Sequence, residues 1–150
     1  KLIERGQTLS VAESCTGGNV AAKFTAIPGA SAYFNAGVVS YSNDAKVDIL
    51  GVNPDDLARY GAVSEAVAIQ MAEGVRRVGR SDYGISTTGI AGPAGGSDEK
   101  PVGTVWIGIA TPNGSFAVLK NCGTDRSQII QRATAYAVQL LQNNFDFNKL

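Results

Sequence analysis

The residues able to do chemistry in this chain fall in four short stretches. In Ala12-Glu13-Ser14-Cys15-Thr16-Gly17-Gly18 a serine and a thiol stand side by side ahead of two glycines. If this stretch joins the carboxyl end of a strand to the start of a helix, free backbone N–H donors and positive potential gather around Ser14. Such a place suits a nucleophile whose attack creates an oxyanion, and it suits a bound phosphate equally. Taken alone, the stretch also reads as an ordinary N-cap followed by a glycine turn. It is neither GxSxG nor a P-loop, since no Gly-Lys-Ser/Thr follows. Cys15 competes with Ser14, because a thiol of reference pKa ~8.5 needs little activation at a helix start. A buried apolar cysteine is the plainer alternative. Adjacent residues here point in different directions, so only one of the two can face a ligand.

The choice of base is narrowed by what is missing. The chain holds no histidine, which excludes Ser-His-Asp and Cys-His systems and any histidine-ligated metal. Proton transfer near neutral pH must come from Lys, Tyr, Asp, Glu or a terminal amine with a displaced pKa. In Tyr41-Ser42-Asn43-Asp44-Ala45-Lys46, Tyr41 is expected to end a strand and Lys46 to sit in the first turns of the next helix. Lowering a lysine from ~10.4 to ~7.5 takes about 4 kcal/mol, which burial and a positive helix end would have to supply. Tyr41 would then relay the proton or orient the amine. A solvated surface lysine is the bland alternative, and it stays open.

The third stretch, Thr87-Thr88-Gly89-Ile90-Ala91-Gly92-Pro93-Ala94-Gly95-Gly96, leaves the carboxyl end of a strand, where ligands of open α/β sheets collect. Thr88 offers a hydroxyl, and Gly89 lets backbone approach a ligand, though a flexible connection would look the same. The fourth, Gly123-Thr124-Asp125-Arg126, opens a helix that carries Arg132 two turns later. Arg126 can hold a phosphate through two parallel bonds. An Asp125 cap beside a surface arginine fits equally well. The carboxylates are scattered and no DxDxDG spacing occurs, so no metal site is expected.

These stretches need elements to hold them. The spacing predicts a helix tail over 1–5 stopped by Gly6, a strand over 8–12, and a helix over 19–27 closed by Pro28-Gly29. A valine-rich strand over 36–41 follows, then a helix capped by Asn43 or Asp44 that Gly51 ends, and a helical turn opened by Pro54. The clearest helix covers 64–78, with Val67, Met71, Val75 and Val78 on one face and Gly79 as its stop. A strand over 82–88 leads into a glycine-rich loop, whose 93–101 portion reads as a ligand loop. Strands over 103–111 and 115–119 flank Pro112-Asn113-Gly114, a hairpin signal. The last helix, over 125–143, has Ile129, Ala133, Tyr136, Ala137 and Leu140 on one face and Thr124 or Asp125 as cap. Alternation implies parallel pairs and the hairpin an antiparallel one. The expected fold is α/β, a single three-layer sandwich over residues 1–150 with a mixed, mostly parallel sheet flanked by helices.

Composition sets the remaining bounds. One hundred and fifty residues, 44% hydrophobic and 17% charged, are one soluble domain's worth of chain. Thirteen basic residues balance thirteen acidic ones, which argues against nucleic acid or an anionic membrane as main partner. No apolar run reaches the ~18 residues of a spanning helix. Two cysteines without CxxC spacing read as reduced thiols of a cytoplasmic protein. The chain opens on Lys1, from which an incomplete first helix is expected.

Six motifs in collinear order resemble one family. They are the 12–18 stretch, Tyr-Ser-Asn-x-x-Lys at 41–46, Gly-Ala-Val-Ser-Glu at 61–65, Gly-Ile-Ala-Gly-Pro with Gly-Gly-Ser at 89–97, Lys-Pro-Val-Gly-Thr-Val-Trp at 100–106, and Asp125-Arg126. Together they look like the C-terminal domain of the competence/damage-inducible CinA family, whose stand-alone form is a nicotinamide-nucleotide amidase. The resemblance implies hydrolysis of the carboxamide of nicotinamide mononucleotide by a metal-independent Ser/Lys mechanism without cofactor. On matching positions it implies Ser14 as nucleophile, Lys46 as general base and Tyr41 as an aid to proton transfer. Thr16, Gly17, Gly18, Thr88, Gly89 and Arg126 would hold the pyridine mononucleotide, and Arg132 is the other arginine near the last motif. A homo-oligomer is expected. Fused family members accompany a pyrophosphatase-like domain. The alternative is therefore a non-catalytic nucleotide- or partner-binding module linked to competence or DNA damage.

Overall fold

The strand β1 (Leu9–Glu13) is buried along its whole length, with Leu9 and Val11 turned to one layer of helices and Ala12 to the other. Burial on both faces is what a central strand needs, and it removes the in–out alternation of a half-exposed strand. In the computed structural model, which describes residues 1–144, β1 pairs in parallel with β2 (Phe34–Val39) and with β3 (Tyr83–Gly89). The strand β4 (Thr104–Thr111) runs antiparallel to β3, and β5 (Gly114–Asn121) antiparallel to β4. The sheet order is β2-β1-β3-β4-β5. Only β4 is reversed, so the sheet is mixed with four strands running one way.

Helices cover both faces, as the expected three-layer sandwich requires. The short α1 (Leu2–Arg5) ends on Gly6 in the left-handed region, φ 62°. On one side, Val20 and Phe24 of α2 (Asn19–Thr25) and Ile129, Ala133, Ala137 and Leu141 of α6 (Arg126–Asn144) pack on Leu9, Val11, Ile85 and Ile107. On the other, α3 (Asn43–Leu50), α4 (Pro54–Tyr60) and α5 (Glu65–Gly79) bring Leu50, Leu57, Val67, Met71 and Val75 against Ala12. Val67, Met71 and Val75 are fully buried. Each such side chain stabilises by roughly 1.5–3 kcal/mol relative to exposure, so α5 is held by this face. Among the described residues no helix is long and apolar enough to cross a membrane.

The departures from expectation are local. Val78 is 47% exposed, because at that end of α5 it is Gly79 that faces the sheet, where a Cβ would lie 1.9 Å from Ser10 Oγ. Gly79 is thus the last helical residue, and Arg80 takes the left-handed cap with φ 49°. Tyr136 and Leu140 are only partly buried beside the fully covered Ala137 and Leu141. The helix α2 stops at Thr25, ahead of the expected end at Ile27, which precedes Pro28 and is disfavoured in helix for that reason. The cap of α3 is Ser42, whose Oγ accepts the Ala45 N–H at 3.1 Å, and neither Asn43 nor Asp44. The strand β2 ends at Val39, two residues before Tyr41. That early end matters for the site.

Candidate active site

Ser14 continues β1 by one residue, its N–H donating to Thr87 O at 3.0 Å. The chain then turns through Gly17 and Gly18, both left-handed with φ 59° and 108°, a geometry that favours glycine. Ser14 does not cap α2. The helix cap is Gly18, which has no side chain to offer, and the N–H groups of Val20 and Ala21 donate instead to Glu13 Oε1 at 2.8 Å and Oε2 at 3.0 Å. A strand carboxylate has taken over the capping task and left the serine hydroxyl for another partner.

That partner is Lys46, in the second turn of α3. Its Nζ lies 3.0 Å from Ser14 Oγ, 2.8 Å from Ser40 O and 3.1 Å from Tyr41 O. The early end of β2 supplies both carbonyls. Lys46 is only 1% exposed, and no carboxylate bonds to it among the described residues. Burial pushes its pKa below the ordinary lysine value, with Cys15 pulling weakly the other way. In its neutral form, which burial favours, the amine has two N–H donors and one lone pair. The carbonyls of Ser40 and Tyr41 take the donors, and the lone pair is left to accept the Ser14 hydroxyl proton. An ammonium in the same place would donate to all three oxygens.

A cavity of about 300 Å³ opens in front of this pair, lined by Ser14, Tyr41, Lys46, Thr88, Ile90 and Arg126 among others. Thr88 sits beside Ser14, one step past the Glu13–Thr87 pairing, and donates its hydroxyl to Ala62 O at 2.9 Å. Its lone pairs are therefore what it can offer a ligand. Gly89 lines the cavity too, and a Cβ there would lie 2.6 Å from Val105 and 3.1 Å from Cys15 Sγ. Arg126 donates to Gly92 O at 2.6 Å and to the Tyr41 hydroxyl at 3.4 Å. Arg132 bonds Cys122 O at 3.3 Å and does not line the cavity. Asp125 caps α6, accepting the Gln128 N–H at 3.2 Å.

Several expected contributors stand elsewhere. Thr16, Gly17 and Gly18 do not line the cavity; the Thr16 hydroxyl is turned inward to Glu13 and Thr87, and the two glycines shape the turn. Tyr41 acts on Lys46 through its carbonyl, while its hydroxyl points to Arg126. Cys15 is 5% exposed, and burial pushes its thiol up to about 12, with Cys122 adding to the effect. A thiol held that high is protonated at neutral pH and a poor nucleophile. Cys15→Ala is therefore expected to keep turnover within a few-fold of wild type; a loss beyond about tenfold would restore the thiol to contention. Sequence reasoning passed over Glu13 and the carbonyl of Ser40. The one signal for Glu13 is a carboxylate at the end of a strand with no other charged residue.

With this geometry in view, relatives are informative. A family model, the CinA C-terminal domain, matches residues 1–145. The chain belongs to the CinA C-terminal domain family. It is 51% identical over 142 residues to the nicotinamide-nucleotide amidohydrolase PncC of Escherichia coli, covering 94% of this chain and 86% of that protein. A CinA-like protein of Fervidobacterium nodosum is 45% identical over 141 residues, and there the match spans only 35% of the longer relative. The crystal structure of the competence/damage-inducible protein CihA from Agrobacterium tumefaciens superposes with a TM-score of 0.92 at 41% identity, covering 95% of this chain and 87% of that one. The CinA fold is thus shared over almost the whole described length.

Proposed function

We propose that this chain hydrolyses the carboxamide of nicotinamide mononucleotide to nicotinate mononucleotide and ammonia, a step of pyridine nucleotide salvage. The name of the Escherichia coli relative supports the substrate. The observation that carries the chemistry is the buried Lys46 amine, 3.0 Å from Ser14 Oγ with two carbonyls on its donors.

In this reading Lys46 takes the Ser14 proton as Oγ attacks the carboxamide carbon. Backbone N–H groups near residues 14–18 hold the oxyanion; of these residues Ser14 and Cys15 line the cavity. The tetrahedral intermediate collapses to an Oγ ester as Lys46 returns the proton to the departing ammonia. Water, deprotonated by Lys46, then attacks the ester and frees Ser14 and the carboxylate. The cationic pyridinium ring draws electrons from the carbonyl and favours both attacks. The Tyr41 hydroxyl and Arg126 face the same cavity and suit the phosphate, and Thr88 suits the amide N–H. No metal or cofactor enters these steps. The protein is taken as a cytoplasmic homo-oligomer acting on a small nucleotide, with neither nucleic acid nor membrane as partner.

The test is to incubate the protein with nicotinamide mononucleotide and measure ammonia and nicotinate mononucleotide in equal amounts. Binding by calorimetry without either product would leave the chain a nucleotide-binding module. Arg126→Ala is expected to raise KM for the mononucleotide about tenfold or more with kcat little changed, and to leave KM for the phosphate-free nucleoside alone. Equal effects on both substrates would remove Arg126 from phosphate recognition.

A further inference from the structure

We propose that Glu13 is a positioning residue for the nucleophile, pinning the turn that carries Ser14 through a directed chain of hydrogen bonds. The inference rests on Ser14 being the attacking group. Glu13 is 1% exposed, with no cation bonded to it among the described residues. A carboxylate so placed persists only where its lone pairs are taken. Three donors take them: the Thr16 hydroxyl at 2.6 Å, Val20 N at 2.8 Å and Ala21 N at 3.0 Å.

The carboxylate sets the direction of the rest. It can only accept, so Thr16 must donate to it. Thr16 Oγ1 is then free to accept from Thr87 Oγ1, 2.7 Å away, which makes Thr87 the donor of that pair. The carbonyl of Thr87 in turn accepts the Ser14 N–H at 3.0 Å. Both ends of the turn are thereby tied to β3 and to the first turn of α2. Between them lie two glycines, which by themselves give the backbone no rigidity. An ordinary cap would sit at the Gly18 position and leave this turn untied to the sheet. What the arrangement fixes is the distance and direction of Ser14 Oγ relative to Lys46.

Glu13→Gln keeps the size and one accepting oxygen but turns an amide N–H toward that of Ala21, and Thr16→Val removes only the hydroxyl link. With nicotinamide mononucleotide, each is expected to lower kcat about tenfold or more and leave KM within about twofold, since misplacing a reacting atom by an ångström costs up to about 10²-fold. Labelling of Ser14 by a fluorophosphonate, which forms the Oγ–P bond and expels fluoride, should slow by a similar factor. The double variant should lose no more than the worse single one, because both break the same chain. Wild-type kcat in the single variants, an effect confined to KM, or independent losses that multiply in the double would each overturn the proposal. Where Glu13→Gln does not fold, Thr16→Val decides alone by its kcat and labelling rate. Ser14→Ala run alongside separates the two ideas. Wild-type turnover there removes the nucleophile itself, whereas a dead Ser14→Ala beside intact Glu13→Gln and Thr16→Val sinks only the positioning role.

Discussion

Replacing Lys46 by methionine is expected to lower kcat for carboxamide hydrolysis by about 10³-fold or more, the upper part of what a positioned general base contributes. Methionine keeps the length of the stem and removes the amine, so the loss reports the proton transfer rather than a hole. In the native protein kcat/KM should rise with pH as Lys46 loses its proton, along a limb that lies on the acid side of 10.5 because burial depresses its pKa. A profile flat through that range would deny Lys46 the role. The same shift predicts a stability signature. The fold disfavours the ammonium, so between the depressed value and 10.5 the unfolded chain binds more protons than the native one. Stability of the native protein therefore rises with pH across that window and is lower below it. Lys46→Met lacks this contribution. The melting temperature of wild type relative to the variant should climb as pH is raised, which calorimetry at several pH values reads directly. The absolute difference also contains the orphaned carbonyls of Ser40 and Tyr41, about 1–3 kcal/mol for each one left dry, so the slope is the diagnostic quantity. A level or falling slope would show the amine charged in the fold.

Ser14→Ala is expected to abolish ammonia release, by on the order of 10³-fold or more, while the mononucleotide still binds within a few-fold of its wild-type affinity. Ser14 is 8% exposed at the cavity wall and its hydroxyl bonds only the Lys46 amine among the described residues, so the variant should melt close to wild type. A direct sign of the covalent step is available. Hydroxylamine added to the native enzyme should intercept the Ser14 ester and yield the hydroxamate, with ammonia still released in the first step. Hydroxamate formation by Ser14→Ala, or its absence from the native enzyme with normal turnover, would point to direct attack by water.

Much of the architecture was legible in the chain itself. The stops at Gly6 and Gly51, the hairpin at Pro112-Asn113-Gly114 and the Val67, Met71 and Val75 face of α5 act over a few residues, and each stands where its local chemistry put it. Where expectation slipped, a distant contact was the reason. Gly79 reads as a helix stop because glycine commonly is one; it is instead the last helical residue, and glycine is required there because Ser10 leaves no room for a Cβ. The valine-rich run predicts a strand to Tyr41, but β2 ends at Val39 and the carbonyls of Ser40 and Tyr41 meet an amine that the next helix delivers. Thr16 offers a hydroxyl beside Ser14, and the buried carboxylate of Glu13 claims it.

By itself the sequence determined that this is an α/β sandwich, that no histidine can serve as base, and that a serine, a thiol, a lysine and two arginines are the groups to choose among. Those conclusions rest on residue types and on periodicities felt within a turn or a strand. Only the tertiary structure decided which of them meet. It brought Lys46 to Ser14 across 32 positions of chain and Arg126 to Tyr41 across 85, while leaving Cys15 nearly buried at the cavity wall with its thiol pushed up, and Arg132 outside the cavity. A side chain's reactivity depends on the water it loses and the partners it gains, and both are fixed by which remote segments close around it.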